Sequence, residues 1–112
     1  MTRTERMNQF RLIEWALELP IDGRADAVHV RRKMLLFLIV NAVTDEWAGE
    51  RNKGKLMYRF NDKRELARDI RINERRLYRA IDYLVRAGLI ERCAWSVRRL
   101  YLVLPDNSLT SG

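Results

Sequence analysis

The amino-acid sequence predicts a mainly helical α+β fold, and three observations lead to this prediction. Apolar side chains recur at helical spacing in four segments, a short alternating segment lies in the middle of the chain, and two more alternating segments lie near its end. With 112 residues, the chain has the length of one domain with one core. We therefore expect a single domain over residues 1–112, ending in a flexible polar tail over 106–112.

Two helices are expected in the first part of the chain. The first covers residues 4–19, carries an apolar stripe at i, i+3 and i+7, and ends before Pro20, which lacks an N–H donor. The second covers about residues 25–47 and is apolar on all sides over 34–40, so it must be covered on more than one side. A buried strand over the same apolar run is the weaker alternative, because the run has few β-branched residues.

These two helices hold more apolar surface than one small unit needs, which favours a two-fold interface between two copies of the chain. The residues that we assign to this interface are Phe10, Ile13, Leu17, Met34 and Phe37. The chain is therefore expected to be a homodimer.

A short strand and two short helices are expected next. The strand covers residues 55–60 after a polar loop, and Asn61 is in position to cap a helix that runs to Ile70. Asn73 is in position to cap a second helix, which is closed by Gly88 at the position that suits glycine. The inward stripe of that second helix consists of Leu77, Ala80, Ile81 and Leu84. Two short helices joined by a tight turn form a helix-turn-helix.

The outward face of the second helix is basic in its N-terminal half, which is the part of such a helix that enters a major groove. A face that meets only solvent would not require three arginines clustered there. The face consists of Glu74, Arg75, Arg76, Tyr78, Arg79, Asp82 and Tyr83.

A β-hairpin is expected at the end of the chain. Its two segments, 89–95 and 100–104, flank a four-residue connection over 96–99. Arg98 and Arg99 would then lie at the hairpin tip, where they can follow a phosphate backbone. The inward side of the second segment consists of Leu100, Leu102 and Leu104.

The positive charge is concentrated in this helix-turn-helix and hairpin unit. The chain has 22 Lys and Arg against 15 Asp and Glu, a net charge of +7. Residues 61–104 hold 11 Lys and Arg against 6 Asp and Glu, so +5 of that charge lies in one segment. A GC-rich genome also favours arginine codons, but it does not explain this placement. A polyanion is the expected partner.

The string ELARDIRINERRLYRAIDYLVRAGLIER, followed by RRLYLVLP, resembles the winged helix-turn-helix pattern of bacterial and phage regulators and of phage or plasmid replication-organiser domains. The resemblance covers the last half of the chain closely and extends more loosely back to residue 28. It implies a winged helix-turn-helix core over about 25–105, with an extra N-terminal helix and the hairpin as the wing. Because the family often has Ser or Thr where this chain has Asn73 or Arg76, no base preference is implied.

In this family the start of the second helix contacts bases and the wing contacts the DNA backbone. The residues that match these positions are Asn73, Glu74, Arg75, Arg76, Tyr78 and Arg79 on the helix, and Arg98 and Arg99 on the wing. The resemblance implies a sequence-specific binder of double-stranded DNA, acting in transcription regulation or in the replication or maintenance of a phage or plasmid. A winged-helix adaptor that joins proteins without reading DNA is the alternative.

The sequence favours neither an enzyme nor a cofactor protein. It has no glycine-rich phosphate loop and no nucleophile elbow, and its one histidine, His29, has no second ligand at metal-binding spacing. We therefore expect no metal, no cofactor and no small-molecule ligand. Cys93 is the one cysteine and no secretion signal opens the chain, which favours a cytoplasmic protein. The longest apolar run, 34–40, is far short of the ~20 residues of a membrane span, so no membrane partner is expected.

Overall fold

The computed structural model describes residues 3–44, 55–93 and 96–103, which form four helices and a four-stranded antiparallel sheet. The predicted class, α+β and mainly helical, is confirmed. In chain order the elements are α1 (Arg3–Glu18), α2 (Ala25–Asn41), β1 (Val43–Thr44), β2 (Leu56–Arg59), α3 (Lys63–Ile70), α4 (Glu74–Arg86), β3 (Ile90–Cys93) and β4 (Ser96–Leu102). The strand order across the sheet is β1-β2-β4-β3. Within the described ranges, no helix has the length and apolar character required to cross a membrane.

Helix α1 packs antiparallel against α2. The Gln9 side chain donates a hydrogen bond to the carbonyl of Val40 at 3.2 Å, which joins the first half of α1 to the end of α2. At the other end of the pair, the Arg32 guanidinium donates to the carbonyl of Leu17 at 3.0 Å and also to that of Ala16. These carbonyls belong to the last turn of α1, where a helix lacks internal donors and favours a positive charge.

Helix α2 is shorter than predicted. It ends at Asn41, Ala42 is extended, and Val43 and Thr44 form a strand that pairs with β2. Two β-branched residues beside an open strand edge obtain backbone hydrogen bonds from the sheet, and this outweighs continuing the helix. The predicted continuation over 45–47 and the predicted loop over 49–54 lie outside the described residues.

The apolar run of α2 is covered from two sides, by α1 and by α4, so the core needs no second copy of the chain at this point. Met34 has 0% of its surface exposed, and its assignment to a dimer interface is therefore wrong. The core residues contributed by α1, α2, α3 and α4 are Leu12, Ala16, Val30, Met34, Leu35, Leu38, Ile39, Leu66, Ala67, Ile70, Leu77, Ala80, Ile81 and Leu84.

The sheet has apolar residues on both faces. Leu56, Tyr58 and Phe60 alternate onto the face that packs against the helices, together with Leu100 and Leu102. The opposite face carries a smaller buried cluster, which the alternation of β2 did not indicate. It consists of Met57, Cys93 and Tyr101, and the Cys93 thiol is free and buried.

The N-terminal cap of α4 is the predicted residue, and the N-terminal cap of α3 is one residue later than predicted. Asp62, rather than the predicted Asn61, caps α3, because its carboxylate accepts a hydrogen bond from the Arg64 N–H at 2.8 Å. Asn73 caps α4 as predicted, accepting from the Arg76 N–H at 2.8 Å. Gly88 follows α4 with φ +75°, in the left-handed region that favours glycine.

The predicted hairpin connection over 96–99 is wrong, because these residues belong to β4. Ser96 pairs with Cys93, and Arg99 pairs with Arg59 on the neighbouring strand β2. The Phe60 N–H also donates to the carbonyl of Arg98 at 3.0 Å. Pairing with β2, which is distant in sequence, therefore keeps this segment in the sheet. Residues 94–95, Leu104 and the predicted tail lie outside the described residues.

Candidate nucleic-acid interface

The candidate site is built on α4, whose rotation is fixed by its buried stripe of Leu77, Ala80, Ile81 and Leu84. With that stripe in the core, the first turns of the helix present a polar surface to solvent. The exposed residues there are Asn73, Glu74, Arg75, Arg76, Tyr78 and Arg79, which are the six residues that the sequence analysis assigned to base contacts.

The exposed residues of α4 point in three directions. At about 100° per residue, Arg75 and Arg79 lie almost opposite the buried stripe, and Arg86 continues the same line toward the end of the helix. Arg76 is turned toward α2, and Tyr78 is turned toward α3. The outermost line of α4 is therefore arginine-rich along its length.

On the side toward α3, the Lys63 ammonium lies 4.3 Å from the centre of the Tyr78 ring, a cation–π contact. Lys63 was not among the predicted site residues. This pair lies in a cleft that also includes one of the two predicted wing arginines. The cleft is lined by Phe60, Asn61, Asp62, Lys63, Tyr78 and Arg98. The structure thus brings Arg98 beside the exposed face of α4.

The two predicted wing arginines do not lie at a hairpin tip, since both are inside β4. Arg98 is exposed and Arg99 is half-buried. Because β4 is an inner strand of the sheet, these residues project from its surface and not from a loop. Alternation along β4 puts Arg98 on the face of Leu100 and Leu102, which packs against the helices, and Arg99 on the opposite face with Tyr101. Of the two arginines, Arg98 is therefore the one that lies beside α4.

Three further residues of the predicted outward face of α4 contact side chains of other elements. Asp82 forms an ion pair with Arg92 on β3, so Arg92 is not an unpaired charge of the hairpin. Tyr83 packs against the core, and its ring carries the Arg31 guanidinium at 4.0 Å from the centroid. Glu74 lies 3.4 Å from Arg64 of α3, an exposed pair of small energetic value.

On the side toward α2, Arg76 and Arg79 line a concave surface together with residues of the first turns of α2. Its lining consists of Asp26, Ala27, Val30, Arg31, Arg76, Arg79 and Ala80. Arg31 was also missed by the sequence analysis, although the basic run Arg31-Arg32-Lys33 before the apolar run was a visible signal.

The remaining residues of the predicted dimer interface differ in exposure. Phe10 is 66% exposed and Leu17 is 54% exposed on α1, while Ile13 between them is half-buried. Phe37 packs its ring edge-to-face on Tyr58 at 5.3 Å and belongs mainly to the core. Two exposed apolar residues near the end of α2 were not predicted, Val40 and Val43.

His29 is exposed on α2. Among the residues that the structure describes, no group of three or more His, Cys, Asp and Glu is placed to hold a metal ion. Comparisons of this chain with family models, with curated proteins and with solved structures found no match.

Proposed function

We propose that this chain is a sequence-specific binder of double-stranded DNA, built as a winged helix-turn-helix. In this proposal α3 and α4 are the helix pair, α4 is the reading helix and β3–β4 is the wing. The order α2, β2, α3, α4, β3, β4 supports it, because helix, strand, helix, helix and hairpin is the order of elements in that fold.

The observation that carries the proposal is the exposed arginine surface at the start of α4. Arg75, Arg76 and Arg79 are exposed, and within the described ranges none of them has a carboxylate at ion-pair distance. Arginines held apart from acidic partners keep their positive potential and their planar donor sets available. The other face of α4 is anchored in the core, so the helix presents these side chains on a rigid support.

The chemistry of a major groove fits this surface. A groove about 12 Å wide admits one helix, and arginine donates two hydrogen bonds to the O6 and N7 atoms of guanine. The phosphates on either side attract a protein with a net charge of +7. Lys63 and Arg98 lie on the α3 and β4 side of α4, where we assign them to the phosphate backbone. Arg99 lies on the other face of the sheet, so its assignment to the phosphate backbone rests on the resemblance.

We further propose that the protein acts as a homodimer through the exposed face of α1, so that two copies of α4 meet two half-sites. The proposed role is transcription regulation, or replication or maintenance of a phage or plasmid.

The deciding experiment is selection of bound duplexes from a random DNA library, followed by titration of the recovered duplex and a scrambled duplex at several salt concentrations. We expect a recovered motif, tighter binding of that motif than of the scrambled duplex, and affinity that falls steeply with salt. Failure to recover a motif, together with no salt-dependent binding of any duplex, would favour a protein-binding adaptor.

A further inference from the structure

A concave pocket between α2 and α4 collects three arginines from two helices. Arg31 comes from α2, and Arg76 and Arg79 come from α4. Among the residues that line the pocket, one is acidic, Asp26 in the first turn of α2. Three positive charges against one negative charge give the lining a net positive charge, which favours an anion.

Arg31 is held in place before any ligand arrives. Its guanidinium lies over the Tyr83 ring at 4.0 Å and donates a hydrogen bond to the carbonyl of Asp22. Gly23 leaves it room, because a Cβ atom there would lie 2.5 Å from the Arg31 Nη1. An arginine has five N–H donors, so the bond to Asp22 leaves donors for a ligand. A side chain that is already ordered loses little conformational entropy on binding.

Arg76 and Arg79 supply the exposed part of the pocket. They are three positions apart on α4 and therefore neighbours on the helix surface. Asp26 shares the pocket with them, yet within the described residues it forms no ion pair with either. Asp26 therefore lowers the positive potential of the pocket without occupying its donors.

We propose that this pocket binds a phosphate of the DNA backbone that borders the groove occupied by α4. The inference rests on the proposed function, and it adds α2 to the DNA-contacting elements, with Arg31 as a binding residue and Asp26 as a residue that weakens binding. With Arg75 directed at the bases, Arg79 lies between the bases and the pocket, and the side of α4 that faces α2 is turned toward one bordering strand. Arginine donates two parallel hydrogen bonds to a phosphate, which suits a pocket lined by guanidinium groups.

The test is a set of charge-neutralising changes on both partners, using the full chain and the selected duplex. Asp26→Asn removes the acid from the pocket, and Asp69→Asn removes an exposed acid of α3, outside the pocket and outside the α1 face, as the matched control. On the DNA, single phosphates are replaced one at a time by neutral methylphosphonate linkages. We expect Asp26→Asn to tighten binding about threefold, as for one unit charge about 6 Å away in water, and Asp69→Asn to have a smaller effect.

One linkage position should stand out. At that position, the neutral linkage should weaken DNA binding by the unchanged protein. It should also abolish the increase in affinity caused by Asp26→Asn, because the effects of changing two interacting groups are not additive. Arg76→Gln should weaken binding and reduce the slope of log affinity against log salt by about 0.9, as expected when the protein neutralises one phosphate fewer.

Two results would overturn the inference while leaving the proposed function intact. The first is duplex binding in which Asp26→Asn behaves like Asp69→Asn at every linkage. The second result concerns inorganic phosphate, titrated at constant ionic strength. If Asp26→Asn strengthened phosphate binding while no linkage position on the DNA were coupled to Asp26, the pocket would be a site for a free anion. If the unchanged protein binds no duplex, the proposed function is wrong, and this inference is wrong with it.

Discussion

The Tyr83 hydroxyl accepts a hydrogen bond from the backbone N–H of Asp22 at 3.0 Å, although 61 residues separate the two. The same tyrosine carries the Arg31 guanidinium on its ring. One side chain of α4 therefore holds both the connection between α1 and α2 and a side chain of α2. This arrangement joins the N-terminal helices to the helix that we propose reads DNA.

The bond between Tyr83 and Asp22 should contribute measurably to stability. Tyr83→Phe removes the hydroxyl and keeps the ring beneath Arg31, so we expect the free energy of unfolding to fall by about 1 kcal/mol. Urea denaturation measures this change. Tyr78→Phe is the matched control, since within the described residues the Tyr78 hydroxyl forms no hydrogen bond, and it should leave stability unchanged. Equal losses in the two variants would contradict the prediction.

The start of α3 depends on Asp62 and not on its neighbour. Asp62→Ala should lower the free energy of unfolding by about 1 kcal/mol, because it removes the side-chain acceptor for the Arg64 N–H. Asn61→Ala, one residue earlier at an exposed position, should cost much less. Thermal or urea unfolding of both variants checks the assignment. A larger loss of stability for Asn61→Ala than for Asp62→Ala would show that Asn61 caps α3, as predicted from the sequence.

Stability at alkaline pH should depend on Tyr58. Burial, with a further contribution from the Asp69 and Glu65 carboxylates, raises the pKa of the Tyr58 phenol above its ordinary value of 10.0. Because the folded pKa is higher than the unfolded one, the contribution to stability is complete below the unfolded value and is lost as pH rises through the folded pKa. Tyr58→Phe keeps the ring against Phe37 and removes the proton.

We therefore expect the free energy of unfolding of the unchanged protein to fall more steeply above about pH 10 than that of Tyr58→Phe. Urea denaturation at a series of pH values measures both curves. Parallel curves on the alkaline side would show that Tyr58 titrates with the same pKa in the folded and unfolded chain.

The features that sequence reasoning predicted well are local ones. The stripe Leu77, Ile81 and Leu84, the Asn73 cap and the glycine after α4 each follow from spacing within one or two helical turns. The exposed half of α4 follows from the same spacing, so its six assigned residues are all exposed.

The features that sequence reasoning missed depend on contacts between distant segments. Arg98 and Arg99 were placed in a turn because their pairing with β2 could not be read from the hairpin alone. Met34 was placed on an interface because the sequence does not say which neighbours cover an all-apolar helix. Lys63 and Arg31 were not predicted as site residues, because the aromatic rings that they contact belong to α4, a different helix.

The arginines of α4 and β4 should affect DNA binding in different ways. Arg75→Ala or Arg79→Ala should reduce the preference for the selected duplex over a scrambled one by about 1–3 kcal/mol, the value of a good bidentate contact to guanine. The double change Arg98→Ala and Arg99→Ala should weaken both duplexes alike and reduce the salt slope by about 0.9 for each phosphate that the protein no longer neutralises.

Arg86→Ala is the matched control for these variants, since it removes the same charge from the far end of α4. It should change the preference little. Titration of both duplexes over a range of salt concentrations separates the two effects. Loss of preference in the β4 variant, with only uniform weakening in the α4 variants, would mean that β4 and not α4 reads the bases.

Assembly should depend on the exposed face of α1. Phe10 and Leu17 are exposed seven positions apart on α1, and the Gln9 contact with the Val40 carbonyl joins the exposed end of α2 to the same helix. We expect these three apolar residues to contribute to one interface. A second copy placed on this surface by a two-fold axis would cover it and would present two copies of α4 to half-sites about 34 Å apart or a multiple of it.

We expect sedimentation velocity at micromolar concentration to show a dimer for the unchanged protein. The double change Phe10→Glu and Leu17→Glu should give a folded monomer, because association would bury two carboxylates. Asn61→Glu, an exposed position away from α1, should remain dimeric. Met34→Ala distinguishes a core residue from an interface residue. Because Met34 is fully buried within one chain, this change should lower the free energy of unfolding by about 2–5 kcal/mol in the monomer and in the dimer alike. A monomer for the unchanged protein, with and without DNA, would remove α1 from the binding mechanism.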